Sequence, residues 1–314
     1  SHPLAGEPIV MAVVPDLAGQ LRGKGFPLSD REGRFRSGIG WCPTCHQITS
    51  FDSIAPTPFG SLGDLLIKPD PDAEFRVCFS EAEDDADHFV IGDLIEPDGS
   101  PWDSCLRNYL RRAIERLYDV SGISLSVAFE HEFHYSGADH SPSSAYNLGA
   151  YRKVKPFAQV MTAALRSAGL TPDTFMPEYG PGQCEVTITP SGPIRAADEA
   201  AVLRQVVRAS AERFNEVASF TPLRTPNKVG NGLHIHMSLW EEGRPVTFDP
   251  SSGEDKANLS GVALSFAAGV LRELPSIVAM TAPSVLSYDR LMPHKWSAPF
   301  NNLGYRDREA ALRV

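Results

Sequence analysis

No run of eighteen apolar residues occurs in the chain, so no membrane-spanning helix is expected. No basic segment followed by an apolar one opens it, so no secretory leader is expected either. Basic runs are missing too: 29 Lys and Arg stand against 39 Asp and Glu, for a formal net charge of −10. An acidic surface disfavours nucleic acid and anionic membrane as partners, but it leaves room for a nucleotide, which needs only a local cluster of cations. Cysteine is scarce and odd in number, five residues at 42, 45, 78, 105 and 184. That excludes a complete disulfide framework and suits a cytoplasmic location. Neither an internal repeat nor a low-complexity segment is present. What remains is ordinary globular composition, 42% hydrophobic and 22% charged over 314 residues, long enough for two domains.

One cysteine motif stands out. Cys42-Pro43-Thr44-Cys45-His46 matches the C-x-x-C-H pattern of covalent haem attachment. Such attachment is not a cytoplasmic process, and a zinc site would need two more ligands that no second C-x-x-C supplies. Chance pairing in a loop is the preferred reading.

Residues 8–98 hold short β-like runs at Ile9–Val14, Glu74–Cys78 and His88–Ile95, joined by Gly- and Pro-rich connections, long loops through 37–63 and an acidic loop, Glu81–Asp87. Pro97–Pro101 is a strong break, and the domain boundary is placed near residue 100. Helical spacing follows over Leu106–Leu117, Phe157–Ala168 and Arg195–Ala218, with further helices expected over Leu259–Leu271 and Ser276–Thr281 on either side of Pro275.

Three strand-like runs carry the chemistry. Residues two apart share a face. Leu125, Val127, Phe129 and Phe133 alternate with Ala128, Glu130, Glu132 and His134; Cys184, Val186 and Ile188 alternate with Gln183, Glu185 and Thr187; Leu233, Ile235, Met237 and Leu239 alternate with His234, His236 and Ser238. Each apolar face is expected to pack against helices. If the strands share a sheet, Glu130, Glu132, Glu185, His234, His236 and Ser238 line one trough. Half-solvated sheets normally mix charge signs, yet none of these runs contains Lys or Arg. Facing carboxylates repel, and a hard divalent cation such as Mg²⁺ or Mn²⁺ is their natural complement.

These residues resemble the glutamine synthetase family. Phe129–Phe133 resembles its E-x-E-F metal strand, Glu178–Glu185 its E-x-x-P-G-Q-x-E segment and Gly230–Leu239 its G-x-G-x-H-x-H-x-S-L strand. Ser287–Pro293 resembles its S-Y-x-R-L-x-P turn, and Asp307–Arg313 its N-R-x-A-x-x-R strand. Leu21–Gly25 and Gly63–Asp70 resemble, more loosely, its β-grasp domain. The resemblance implies an α+β fold: a β-grasp domain over 1–100, then a catalytic domain over 101–314 with a curved antiparallel sheet flanked by helices. It implies ATP and Mg²⁺ or Mn²⁺ as cofactors, glutamate or an analogue and an amine as substrates, and stacked rings of about ten to twelve subunits. By carry-over, Glu132, Glu178 and Glu185 hold one metal and Glu130 and His234 the other. His236, Ser238 and Arg313 contact the nucleotide. Gly230 and Arg290 bind the carboxylate substrate, and Arg308 faces the transferred phosphoryl group. His131 and His134 match no ligand position and are read as packing residues.

Three departures shape the functional reading. Family members using ammonia carry a Glu in the loop before Ala-Pro; here that loop reads Pro293-His294-Lys295-Trp296-Ser297-Ala298-Pro299. Trp296 in this place resembles the subfamily that ligates larger amines to glutamate, which puts it with Arg290 and Arg308 at the reacting centre. The D-G-S-S loop is matched only by Phe51-Asp52-Ser53. The sequence ends before the R-x-E-x-R strand, so the catalytic domain is read as truncated at its C-terminal end and the second metal site as incomplete. The preferred reading is an ATP-dependent carboxylate–amine ligase; the rivals are an authentic glutamine synthetase and a non-catalytic relative.

Overall fold

The computed structural model describes residues 6–17, 19–80, 86–138, 145–254 and 257–314. Most of the acidic loop expected at Glu81–Asp87 therefore lies outside the described residues. The chain forms two compact units. The first takes in residues up to Asp119 with 160–171 and 193–206; the second comprises 120–159, 172–192 and 207–314.

In the first unit the alternating pattern builds a five-stranded sheet from β1 (Ile9–Pro15), β2 (Leu21–Pro27), β3 (Ile39–Trp41), β4 (Leu65–Val77) and β5 (Asp87–Ile95), in the order β2-β1-β5-β4-β3. β1 runs parallel to β5 and the other pairs are antiparallel. The β4–β5 register slips between Pro69 and Glu74, where Pro69 and Pro71 have no N–H to give to a ladder. Helix α1 (Arg31–Ser37) ends at Gly38, whose φ of 78° suits glycine. Val10, Ala12, Val14, Phe26, Leu65, Ile67, Val90 and Leu94 form the core, closed by Trp102 and Cys105.

Helix α2 (Leu106–Ser121) brings a buried cation to this unit. Arg107 donates two hydrogen bonds to Asp198, at 2.9 and 2.7 Å, and one each to Asp93 and Asp70. Arg111 shares Asp70 and Asp93. The three carboxylates hold the Arg107 guanidinium above its already high pKa, against the opposing effect of burial. Removing the cation leaves buried like charges facing each other. Arg107→Met is expected to lower unfolding free energy by about 3–5 kcal/mol, read as a fall in the urea midpoint at unchanged slope.

The second unit is built on β6 (Ile123–Tyr135). Helix α3 (Leu148–Ser167), β7 (Pro172–Pro177), β8 (Gln183–Ile188), helix α4 (Pro193–Glu212), β9 (Ala218–Ser219), β10 (Leu233–Glu241) and β11 (Arg244–Pro245) follow, with α3 and α4 contributing residues to both units. The strand order is β11-β10-β6-β8-β7, with β9 also on β6. Helices α5 (Gly261–Thr281) and α6 (Val285–Arg290) precede a parallel pair, β12 (Phe300–Gly304) and β13 (Ala310–Arg313).

Two expectations are corrected here. Pro275 does not divide α5. The carbonyl it deprives of a partner, Leu271 O, accepts instead from Asn301 Nδ2 at 2.8 Å. By length and composition α5 is apolar enough to cross a membrane, although an adjacent ion pair, Arg272–Glu273, sits within it. Finally, the apolar face of β10 is not packed. Leu233, Ile235 and Met237 are 48%, 50% and 39% exposed, and only Leu239 is buried, whereas Cys184, Val186 and Ile188 on β8 are buried.

Candidate active site

The three chemistry-bearing strands are neighbours, with β6 in the middle. Register sets His234 against Glu130 and Ser238 against Ser126 on one side, and Glu132 against Glu185 on the other. Alternation then sends the polar side chains to one face, as read from the sequence.

Glu130 accepts from His234 Nδ1 at 2.5 Å and His236 Nε2 at 3.2 Å. These bonds hold its carboxyl well below the usual range, and the same contact raises His236. Glu132 is fixed differently. Its Oε2 accepts from Gln183 Nε2 at 2.7 Å and from Gly232 N at 2.8 Å, while burial pushes its pKa up. Glu185 is 7% exposed and is pushed up to about 8, first by burial and then by the charges of Glu130 and Glu178. Tyr146 hydrogen-bonds Glu178; burial and that carboxylate push its phenol up to about 12.

Among the described residues no group of three His, Cys, Asp or Glu side chains stands ready to hold a metal ion. The reason is visible in the bonding: Glu130 is turned to two imidazoles and Glu132 to an amide and a backbone N–H. The donor chemistry still fits a hard divalent cation, because Glu185 holds its proton near neutrality through burial and then the charges of neighbouring carboxylates, a crowding that a cation relieves. A cation bound there displaces that proton. Metal affinity is therefore expected to rise by up to about tenfold per pH unit from about pH 5 to 8 and level off above. Proton release measured by calorimetry in buffers of different ionisation enthalpy checks it. The sign for stability is opposite: a carboxyl raised in the fold holds its proton best when folded, so without metal this group's contribution is full at low pH and fades as pH rises through about 8.

Gly230 and Arg290, expected to bind the carboxylate substrate, are adjacent to this cluster. Arg290 ends α6; burial lowers its guanidinium, Glu132 opposes that, and its Nε is buried without a hydrogen-bond partner. A Cβ on Gly230 would lie 2.0 Å from Pro222 O and 2.7 Å from Arg290 Cδ, so only glycine lets this backbone pass under the arginine. Two residues not singled out in the sequence support the arrangement. Gln183 Nε2 also reaches Gly230 O at 3.0 Å and Asn231 Oδ1 at 3.3 Å, and Asn231 Nδ2 donates to Thr221 O at 2.9 Å. The signal was there, since both lie inside the quoted motifs, but an amide announces no role until its partners are known.

Arg313 on β13 is close enough to His236 for its charge to oppose protonation of the imidazole. Ser238 accepts from Trp240 Nε1 at 2.8 Å. Arg308 is exposed on the turn before β13. Trp296 is 69% exposed with φ of 50°, and His294 also has positive φ, 65°. The loop between them contains no carboxylate of its own, but Glu309 brings one: Oε2 accepts from His294 N at 3.1 Å and Oε1 from Trp296 N at 2.9 Å. The Ser297 hydroxyl donates to Arg290 O at 3.0 Å, tying the loop to the arginine. Glu309 is the residue the sequence reading missed, because its partners are backbone groups. His131 and His134 are buried, as expected of packing residues, with His131 edge-on to Phe220 at 6.0 Å.

Similarity to known proteins covers both parts of the chain. Residues 6–102 match the family model of the glutamine synthetase N-terminal domain and residues 103–314 that of the glutamine synthetase catalytic domain. The gamma-glutamylpolyamine synthetase GlnA3 of Streptomyces coelicolor is 34% identical over 98% of this chain and 66% of its own length. The glutamine synthetase of Thermococcus kodakarensis is 29% identical over 95% of this chain and 64% of its own. The chain thus spans about two thirds of the length of the curated relatives it matches. A crystal structure of a glutamine synthase homolog superposes with a TM-score of 0.91 at 41% identity, covering 100% of this chain and 74% of the other. With the motifs, the strand register and both family domains in agreement, the chain belongs to the glutamine synthetase family.

Proposed function

We propose that this chain carries the catalytic residues of an ATP- and divalent-metal-dependent ligase that joins an amine to the γ-carboxylate of glutamate through a γ-glutamyl phosphate. The observation that carries this is the gathering of Glu130, Glu132, Glu178 and Glu185 around one sheet face beside a half-buried arginine, Arg290, whose buried Nε has no hydrogen-bond partner. Family membership supplies the reaction class.

In this reading Glu132, Glu178 and Glu185 hold one divalent ion and Glu130 and His234 a second, the first beside the amino-acid substrate and the second beside ATP. Mg²⁺ or Mn²⁺, when bound, supplies neutralisation of phosphate charge. Gly230 leaves room for Arg290 to meet the substrate carboxylate, which guanidinium grips in bidentate fashion. His236, Ser238 and Arg313 take the nucleotide, and Arg308, exposed on its turn, faces the transferred phosphoryl group. Trp296 lies at the amine's side of the centre. Cytoplasmic location is supported by five free thiols, and assembly into stacked rings of about ten to twelve subunits by the exposed apolar side chains of β10, which need a cover. The domain boundary belongs near residue 100, after Pro97–Pro101.

The relative named for polyamines favours a larger amine. A second reading, ammonia as co-substrate, has one observation in its favour: Glu309 does deliver a carboxylate to the loop. ADP release by the full-length enzyme with glutamate, scanned over ammonium and a panel of alkyl-, aryl- and polyamines, decides. No ADP release with ammonium or with any amine of the panel would remove the ligase reading altogether.

A further inference from the structure

The Cys42-Pro43-Thr44-Cys45-His46 motif has no part in the ligase site, and its geometry differs from a chance pairing. Cys42 leads into a 3₁₀ turn over Pro43–Gln47, and Cys45 N donates to Cys42 O at 3.2 Å. This closes the two sulfurs to 3.2 Å. Backbones three residues apart in such a turn lie within the roughly 4.4–6.8 Å that a disulfide spans. The turn is itself braced: the Thr44 hydroxyl donates to Gly60 O, and Pro43 packs on Gly63. Both cysteines are only partly buried.

A metal site is the obvious rival, and the third potential ligand rules against it. His46 is 5% exposed, its ring stands edge-on to Trp102 at 5.7 Å, and both ring nitrogens are buried in the core without hydrogen-bond partners. Burial lowers its pKa, so it is a neutral packing residue. That leaves two thiolates where tetrahedral zinc asks for four donors.

We propose that Cys42 and Cys45 form a thiol–disulfide exchange site, which closes to an intramolecular disulfide on reaction with a small-molecule disulfide such as oxidised glutathione. Burial and the bond to Cys42 push Cys45 up to about 11, which disfavours its thiolate, and in this exchange Cys42 attacks first. Lys24 and Arg22 lie near enough to favour negative charge at the pair. The Cys42 thiolate forms a bond to one sulfur of the small disulfide, whose S–S bond breaks and releases one thiol. Cys45 then gives up its proton and displaces the second thiol as the Cys42–Cys45 bond forms. Two protein thiols are oxidised, one external disulfide is reduced to two thiols, and the two protons leave with them. The turn leads straight into a hairpin closed by Ala55 N to Gln47 O and Thr49 N to Ser53 O, so closure stiffens the base of the segment carrying Phe51-Asp52-Ser53.

The test uses the full-length protein equilibrated with glutathione over a range of redox poise, then alkylated, cleaved with trypsin and weighed. Trypsin does not cut the Lys68–Pro69 bond, so the peptide released is Ser37–Arg76, which contains both cysteines and no other cysteine. Expected is the loss of two hydrogens from this peptide in one two-electron step, while Cys78, Cys105 and Cys184 stay alkylated throughout. Cys45→Ser is expected to leave Cys42 as a persistent mixed disulfide with glutathione, and Cys42→Ser to leave Cys45 reduced. The proposal is overturned if all five thiols survive the oxidising end in the wild-type protein. It is equally overturned if the pair stops at a mixed disulfide, or if one equivalent of zinc binds the pair and blocks its alkylation.

Discussion

Glu132→Ala abolishes turnover of the full-length enzyme and removes most of the rise in melting temperature that Mg²⁺ or Mn²⁺ produces. The expectation rests on where Glu132 sits. It is opposite Glu185 in the sheet register, close enough to Arg290 to oppose the effect of burial on the guanidinium, and aimed by Gln183 and Gly232 N. Loss of charge neutralisation worth several kcal/mol lowers kcat by about three orders of magnitude. Binding linkage gives the metal shift its size: a ligand at a hundredfold its Kd stabilises by about 2.7 kcal/mol. The metal-free protein behaves differently. Removing one of several mutually repelling carboxylates relieves Glu185, whose pKa is expected to fall, so the apo form loses little stability. Glu132→Gln separates charge from shape, since its amide oxygen still accepts from Gln183 and Gly232. Both variants should lose the metal shift, and only Ala should loosen the Gly230–Asn231 segment. A full metal shift in either one would remove Glu132 from the ligand set.

Much of this site was legible before any coordinates, for a physical reason. A β-strand converts sequence parity into a face, so Glu130, Glu132, Glu185, His234 and His236 could be assigned to one trough once the strands were neighbours. The same parity misjudged β10, because alternation shows which side chains share a face and not what covers it; Leu233, Ile235 and Met237 are exposed. The continuity of α5 was hidden for a related reason. Pro275 reads as a break unless some distant group takes the freed carbonyl, and Asn301, 26 residues further on, does so. Arg107 with its three aspartates was invisible, since Asp70, Asp93 and Asp198 meet only through the fold. Glu309 was missed in the same way: nothing local links it to a loop whose own residues contain no carboxylate.

Kinetics of the full-length enzyme should favour a long-chain amine over ammonium by about two orders of magnitude in kcat/KM. An amine attacks only as the free base, so a site for bare ammonium needs a carboxylate free to attract the cation and take its proton. The carboxylate that reaches this loop has both oxygens engaged by backbone N–H groups of His294 and Trp296. Those residues have φ of 65° and 50°, a conformation that costs non-glycine residues roughly 1 kcal/mol or more each and persists only where the surroundings enforce it. Glu309 is thus a positioning residue that holds an exposed indole in place. Trp296 offers a face for a cationic amine, worth roughly 0.5–2 kcal/mol, and apolar area for its carbon chain at about 0.8 kcal/mol per buried methylene. Four methylenes give about 3 kcal/mol, or about 200-fold, which ammonium cannot exploit. Trp296→Ala should erase most of this preference while sparing the ammonium rate. Glu309→Ala should raise KM for the long amine more than it lowers kcat, and Glu309→Gln, with one acceptor oxygen left, should fall between. If ammonium instead matches every amine tried, and Glu309→Ala removes its turnover outright, Glu309 is the proton acceptor and the enzyme is an ordinary glutamine synthetase.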